Sequence, residues 1–247
     1  NQQINQMQYN IHEIEAILGL PVSKRKADKI TILLTDSRKL TLPAETLFFA
    51  LETKNNDAHL FIGELYQKGV RNFVVSKVLP EWGNFDDANF LKVKNSLSAL
   101  QKMAAYHRKQ FDIPVIGITG SNGKTIVKEW LYQLLEENYN IVRSPRSYNS
   151  QVGVPLSVWQ LDDETELGIF EAGISMPDEM EKLEPIIRPT IGVLTKIGEA
   201  HQENFASLQQ KIMEKLALFV NCDVFIFDED NHLVSECVDQ MVLSQKT

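Results

Sequence analysis

The residues most able to do chemistry stand together in Gly117-Ile-Thr-Gly-Ser-Asn-Gly-Lys-Thr125, directly after the apolar run Ile113-Pro-Val-Ile116. Gly120 and Gly123 permit backbone conformations that turn successive N–H groups toward one point, as a bound phosphate requires. Ser121 and Asn122 complete the loop between them. A helix beginning at Lys124 adds the positive end of its dipole. The Lys124 ammonium can then reach the outer phosphates of a nucleotide, and the Thr125 hydroxyl can ligate Mg²⁺. A plain turn between strand and helix would need no Lys-Thr pair at the first helical positions. The stretch still departs from the common G-x-x-x-x-G-K-[ST] pattern, because Ile118 stands where that pattern has its first glycine.

Other candidates are more scattered. Glu171 ends the apolar run Leu167-Gly-Ile-Phe170. A carboxylate at the carboxyl end of a strand faces the ligand crevice of an open α/β sheet and suits Mg²⁺. Lys215 lies on an amphipathic helical pattern whose apolar face carries Ile212, Leu216 and Phe219. Taken alone such a lysine is solvent-facing, and Lys211, one turn earlier, is read as the more solvated of the two. In Asp36-Ser-Arg38, Arg38 offers a planar donor fork for phosphate, though a surface turn would look the same. His201 is a single histidine with no ligand spacing around it, and His59 is read as structural.

The elements that must position these residues alternate short apolar runs with helical patterns, which predicts βα units and a mostly parallel sheet. Strands are expected near Ile30–Leu34, Leu47–Leu51, Phe73–Val75 and Phe90–Val93, with helices at Ile11–Leu18, Ala58–Lys68 and Ser96–Gln110. Phe111-Asp-Ile-Pro114 breaks the helical pattern and sets the expected boundary between a domain of residues 1–110 and one of residues 111–247. The second part should hold strands Val115–Thr119, Leu167–Glu171, Ile191–Lys196 and Val224–Asp228, and helices over Lys124–Glu137, after Pro177 and across Ser207–Val220. Less than one βα unit follows its last strand, so the second domain is expected to be incomplete within these residues.

Composition narrows the function classes. The 247 residues suffice for two ordinary domains, and 43% hydrophobic with 23% charged content is that of a globular chain. A net charge of −8 lacks the basic footprint of a nucleic-acid or anionic-membrane binder. No apolar run approaches the roughly 20 residues that cross a bilayer. The polar stretch Asn1–Tyr9 is unlike a secretory signal. Cys222 and Cys237, with no C-x-x-C pattern and no clustered histidine, read as reduced thiols in a cytoplasmic protein.

Thr119-Gly-Ser-Asn-Gly-Lys-Thr125 resembles the T-G-x-x-G-K-[ST] loop of the Mur ligase family, which joins a carboxylate to an amine at the expense of ATP and includes the folylpolyglutamate synthases. The resemblance covers nearly the whole chain. Asn149-Ser-Gln-Val-Gly-Val-Pro155 is similar to the family's N-x-x-x-G-x-P loop, and Glu171 followed by Ala-Gly to its metal-binding glutamate. Gly198-Glu-Ala-His-Gln-Glu-Asn-Phe205 resembles the segment with the metal-binding histidine, and Glu214-Lys-Leu-Ala-Leu-Phe219 the one with a carbamylated lysine. Thr35-Asp-Ser-Arg38, Leu47-Phe-Phe-Ala-Leu51 and Asp57-Ala-His-Leu-Phe-Ile62 follow the uridine-nucleotide-binding domain. Folate enzymes start directly with the ATP domain.

The fold this implies is α/β: an amino-terminal uridine-nucleotide-binding domain, then a P-loop-type, mostly parallel ATPase domain, here incomplete and without the family's third domain. The resemblance assigns Gly120, Ser121, Asn122, Gly123, Lys124, Thr125, Asn149 and Lys196 to the nucleotide, and places Gln151 near its phosphates. It assigns Thr125, Glu171, His201 and Lys215 to Mg²⁺, with Lys215 carrying a CO₂-derived carbamate. Lys124, His201 and Lys215 serve catalysis, and Ser37 with Arg38 the uridine end of the substrate. The Ser-Asn of the loop and the Val-Lys-Glu after it are most like the branch that adds D-alanyl-D-alanine to UDP-N-acetylmuramoyl-tripeptide in peptidoglycan synthesis. Some bacterial members of that branch are fused to an alanine racemase. Three positions depart from the family pattern: Thr53 and Ala58 stand where glycine is usual, and Lys196 where an asparagine contacts the base. The alternatives are a family member that adds a single amino acid and a non-catalytic nucleotide-binding fragment. A P-loop kinase or GTPase would need a base-reading motif that is not recognisable here. Without the third domain these residues are expected not to ligate alone.

Overall fold

The structure is a computed structural model that describes residues 7–22, 28–198 and 202–244. It divides into two compact units, Asn1–Tyr106 and His107–Thr247.

In the first unit, β1 (Tyr9–Asn10) leads into α1 (Ile11–Leu18) and pairs antiparallel with β2 (Lys29–Ile30). Asn10 and Glu13 form a reciprocal cap at the start of α1, and Gly19 ends it in the left-handed conformation. Then come β3 (Ile32–Leu34), β4 (Thr46–Phe49), α2 (Ile62–Gln67), β5 (Asn72–Val75), β6 (Asn89–Lys92) and α3 (Ser96–Arg108), whose last two residues belong to the second unit. The four strands form a parallel sheet in the order β3-β4-β5-β6. Phe48, Phe73, Ile62, Leu65 and Trp82 fill its core. The strand expected over Ile30–Leu34 is divided between two sheets. Thr31 interrupts it, donating its N–H to the Glu45 carbonyl and its hydroxyl to the Glu45 carboxylate. The helix expected from Ala58 begins as a 3-10 turn, Ala58–Phe61, with Asp57 as its cap.

The second unit runs β7 (Val115–Thr119), α4 (Lys124–Leu135), β8 (Ile141–Arg143), α5 (Gly153–Val158), β9 (Leu167–Glu171), α6 (Met180–Ile187), β10 (Ile191–Leu194), α7 (Leu208–Leu216), β11 (Val224–Ile226) and α8 (His232–Ser244). Its sheet is parallel throughout, in the order β11-β10-β7-β9-β8. All five residues of β7 are buried, as a central parallel strand requires. Val127, Leu131 and Leu135 of α4 pack on Ile116, Ile118 and Ile169 of the sheet. The chain leaves β7 toward β8 and β9 on one side, then crosses to β10 and β11 on the other. The carboxyl ends of β7, β9 and β10 therefore flank a topological switch point, where open α/β sheets bind ligands. Sequence periodicity did not single out β8, α5, α8 or the β1–β2 pair. Among the described residues no helix is long and apolar enough to cross a membrane.

Candidate functional site

The loop between β7 and α4 opens onto the switch point. Gly120 (φ +148) and Gly123 (φ +88) hold backbone conformations that side chains disfavour. Gly123 caps α4, so Lys124 is its first helical residue, and the first-turn N–H groups have no partner within the helix. The loop is sewn to the segment after β10. The N–H groups of Ser121 and Asn122 reach the Lys196 carbonyl at 2.9 and 3.3 Å, and the Ser121 hydroxyl donates to the Gly198 carbonyl at 3.1 Å. The Thr195 hydroxyl lies 2.7 Å from the Asn122 carbonyl.

Two lysines converge on one acceptor. The Nζ atoms of Lys124 and Lys215 lie 2.9 and 3.3 Å from the Gly120 carbonyl oxygen. Burial lowers the pKa of Lys124, against an opposing pull from Glu171. Burial, helped by the charges of Lys124 and Lys211, pulls Lys215 down to about 7. Lys211 is itself buried and donates to the Gly198 carbonyl at 2.5 Å, which corrects the solvated position expected for it. Residues 211 and 215 are four apart and share one helix face, so one cannot be buried with the other in solvent.

Glu171, fully buried at the end of β9, is the anionic member of the group. The Thr125 hydroxyl donates to its Oε2 at 2.9 Å, and its backbone N–H donates to the Ser144 hydroxyl at 3.2 Å. Hydroxyl and carboxylate form a hard-oxygen pair that fits Mg²⁺. Asn149 and Gln151 line a cavity of about 270 Å³ together with Gly120, Ser121, Lys124 and Lys215. Their loop is tied down by bonds from the Gly173 N–H to the Asn149 carbonyl and from the Gln151 amide to the Glu179 carbonyl. Lys196 lines a neighbouring cavity of about 260 Å³ with Asp228 and Asn231. His201 lies outside the described residues.

In the first unit Ser37 and Arg38 line a cavity of about 430 Å³ with Thr35, Asn56, Ala58 and Phe61. The exposed Arg38 guanidinium makes two 2.8 Å contacts to Asp36, which hold that carboxyl down at about 2. His59 is buried between the Asp57 carboxylate (2.6 Å) and the Ser76 N–H (3.1 Å), in keeping with a structural role. Sequence reasoning passed over Lys128 and Ser144, both fully buried beside Glu171. The signal for Lys128 was its spacing, one turn beyond Lys124 and one turn before Leu131 and Tyr132, which pack against the core.

Residues 118–244, just over half of the chain, match the family model of the Mur ligase middle domain. Over 193 residues, 76% of this chain, the sequence is 32% identical to the UDP-N-acetylmuramoyl-tripeptide–D-alanyl-D-alanine ligase of Borreliella burgdorferi. The chain spans 42% of that relative's length. The crystal structure of MurF from Acinetobacter baumannii superposes with a TM-score of 0.81 over 96% of this chain and 53% of that one, and at 22% identity it speaks to the fold alone. The MurF ligase from Thermotoga maritima in complex with ADP gives a TM-score of 0.71 at 26% identity, over 83% of this chain and 48% of that one. The matched segment contains the loop, the buried glutamate and the paired lysines described above, and the chain belongs to the Mur ligase family.

Proposed function

We propose that the chain forms the uridine-nucleotide-binding and ATP-binding parts of a ligase that adds D-alanyl-D-alanine to UDP-N-acetylmuramoyl-tripeptide. The observation that carries this reading is the convergence, at the carboxyl ends of β7 and β9, of Lys124 and Lys215 on the Gly120 carbonyl with the Thr125–Glu171 pair alongside. The similarity to a relative of that name selects the substrates.

When bound, ATP would supply the γ-phosphoryl group that turns the tripeptide carboxylate into an acyl phosphate and leaves ADP, and the incoming amine would then displace phosphate and lose a proton to form the amide. The chain's own task is positioning and charge. The first-turn N–H groups of α4 and the Lys124 ammonium hold phosphate oxygens, with Ser121, Asn122, Asn149 and Gln151 around them. Thr125 and Glu171 would hold Mg²⁺, which would offset charge on the phosphates. In this reading His201 and Lys215 would complete the metal ligands. At a pKa of about 7 the Lys215 amine has the neutral form that reacts with CO₂, and the resulting carbamate is an anionic ligand. Lys196, which lines a cavity with Asp228 and Asn231, would meet the base. Ser37 and Arg38 meet the uridine diphosphate end within residues 1–110, and residues 111–247 carry the ATP site. These substrates belong to the cytoplasm.

The test is calorimetric titration of the intact protein with Mg²⁺ and a non-hydrolysable ATP analogue. The wild type should bind, and Lys124→Ala should bind far more weakly while keeping its unfolding transition. Equal binding by the variant contradicts the assignment of the loop.

A further inference from the structure

The Val127-Lys128-Glu129 segment of α4 carries a lysine to which the reading above gives no role in the site. Lys128 is fully buried, a costly position for an ammonium unless it is well paired. Its Nζ donates to the Ser144 carbonyl at 2.7 Å and to the Arg146 carbonyl, and lies 3.1 Å from Glu129 Oε1. Its remaining neighbour is Glu171 Oε1, at 3.4 Å.

These partners belong to two parts of one site. Ser144 and Arg146 begin the stretch that runs from β8 to Ser147 and Asn149. Ser147 Oγ lies 3.4 Å from the Thr125 hydroxyl, and the Asn149 carbonyl accepts from Gly173 two residues beyond Glu171. Arg146 sits in the left-handed region (φ 50), which a non-glycine residue enters at a cost, and its carbonyl is one that Lys128 holds. The Glu171 carboxylate is shared unevenly: Oε1 lies 3.4 Å from Lys128 Nζ and 3.3 Å from Thr125 Oγ1, while Oε2 accepts the shorter bond from Thr125 at 2.9 Å.

We propose that Lys128 is a positioning residue for the divalent cation: its ammonium anchors Oε1 of Glu171 and ties it to the Ser144–Asn149 stretch, turning Oε2, the oxygen Lys128 does not contact, toward Thr125 and the metal. The inference rests on the assignment of Thr125 and Glu171 to Mg²⁺. Groups that orient a metal ligand from behind govern affinity because the ligand must be held in direction as well as in place.

The experiment measures Mn²⁺ binding by electron paramagnetic resonance in the intact protein with a non-hydrolysable ATP analogue, comparing wild type with Lys128→Met. The variant should bind Mn²⁺ roughly 10- to 100-fold more weakly, with a matching rise in the Mg²⁺ concentration needed for half-maximal turnover and an unchanged KM for the uridine substrate. A lysine that only supports the fold would lower the unfolding temperature and leave the Mn²⁺ affinity of the folded protein at the wild-type value, and that result overturns the proposal. If Lys128→Met does not fold, Lys128→Gln, which keeps a donor for the Ser144 carbonyl without the charge, carries the same expectation. A wild type that binds the nucleotide analogue but no Mn²⁺ refutes the metal assignment of Thr125 and Glu171 instead.

Discussion

An alanine at position 120 would bring its Cβ to 1.9 Å from Thr195 Oγ1 and 3.1 Å from the Thr195 backbone carbon. The first contact can be relieved only by turning the Thr195 hydroxyl away from the Asn122 and Thr119 carbonyls, at 2.7 and 3.1 Å. The second is to backbone and cannot be relieved by rotation. Losing the Thr195 hydroxyl's hydrogen bond costs about 1 kcal/mol. Overpacking adds roughly 1–3 kcal/mol. Forcing a side chain onto φ +148 adds a further ~1–3 kcal/mol. Gly120→Ala should therefore destabilise by on the order of 3–7 kcal/mol, a large share of the ~5–15 kcal/mol that holds a domain folded. Gly123→Ala is the matched control. Its φ of +88 is also unfavourable, but the nearest atom to its Cβ is Thr195 Cβ at 3.8 Å, so it should pay the backbone term alone, ~1–2 kcal/mol. Urea unfolding of the two variants and the wild type measures both. The reasoning fails if Gly120→Ala lies within about 1 kcal/mol of wild type, or costs no more than Gly123→Ala.

Two predictions concern pH. Lys215, lowered to about 7, passes to its neutral form as pH rises through that value, so a ¹³C-bicarbonate carbamate signal should grow with pH there and be missing from Lys215→Met. Between about 7 and the ordinary 10.5 the folded protein holds fewer protons at this site than the unfolded chain, so the Lys215 contribution to stability rises with pH, and Lys215→Met should flatten that slope. No carbamate signal above neutral pH would remove the modification from the account. His107, edge-on to Phe111 and tilted against Trp159, with Nε2 at 3.0 Å from the Leu161 carbonyl, is pushed by burial from 6.5 to about 4. Its contribution is complete above 6.5 and is lost as pH falls through about 4, worth ~3 kcal/mol at ~1.4 kcal/mol per pH unit. Stability unchanged by pH across that window would refute it.

The parts of the site legible in the sequence were those whose chemistry and local geometry coincide. The buried run Val115–Thr119, the two glycines and Lys124-Thr125 define a strand, a loop and a helix start at once, and Glu171 closes a second buried run. What stayed hidden was set by tertiary packing. Lysines read as solvated from composition, yet Lys128, Lys211 and Lys215 are buried because backbone carbonyls from distant segments receive them. The strand β8 has only three half-buried residues, and α5 contains Gly153 and Pro155, so neither shows a period. The break at Thr31 depends on Glu45, fourteen residues away, which no local pattern reveals.

The central claim is tested most directly by incubating the intact protein with ATP, Mg²⁺, UDP-N-acetylmuramoyl-tripeptide and D-alanyl-D-alanine, then following product by mass spectrometry and phosphate release together. The account predicts the UDP-linked pentapeptide and phosphate in equal amounts, both requiring all three substrates and both abolished in Lys124→Ala. Phosphate release without the pentapeptide, or ligation by a folded Lys124→Ala variant at the wild-type rate, would contradict it.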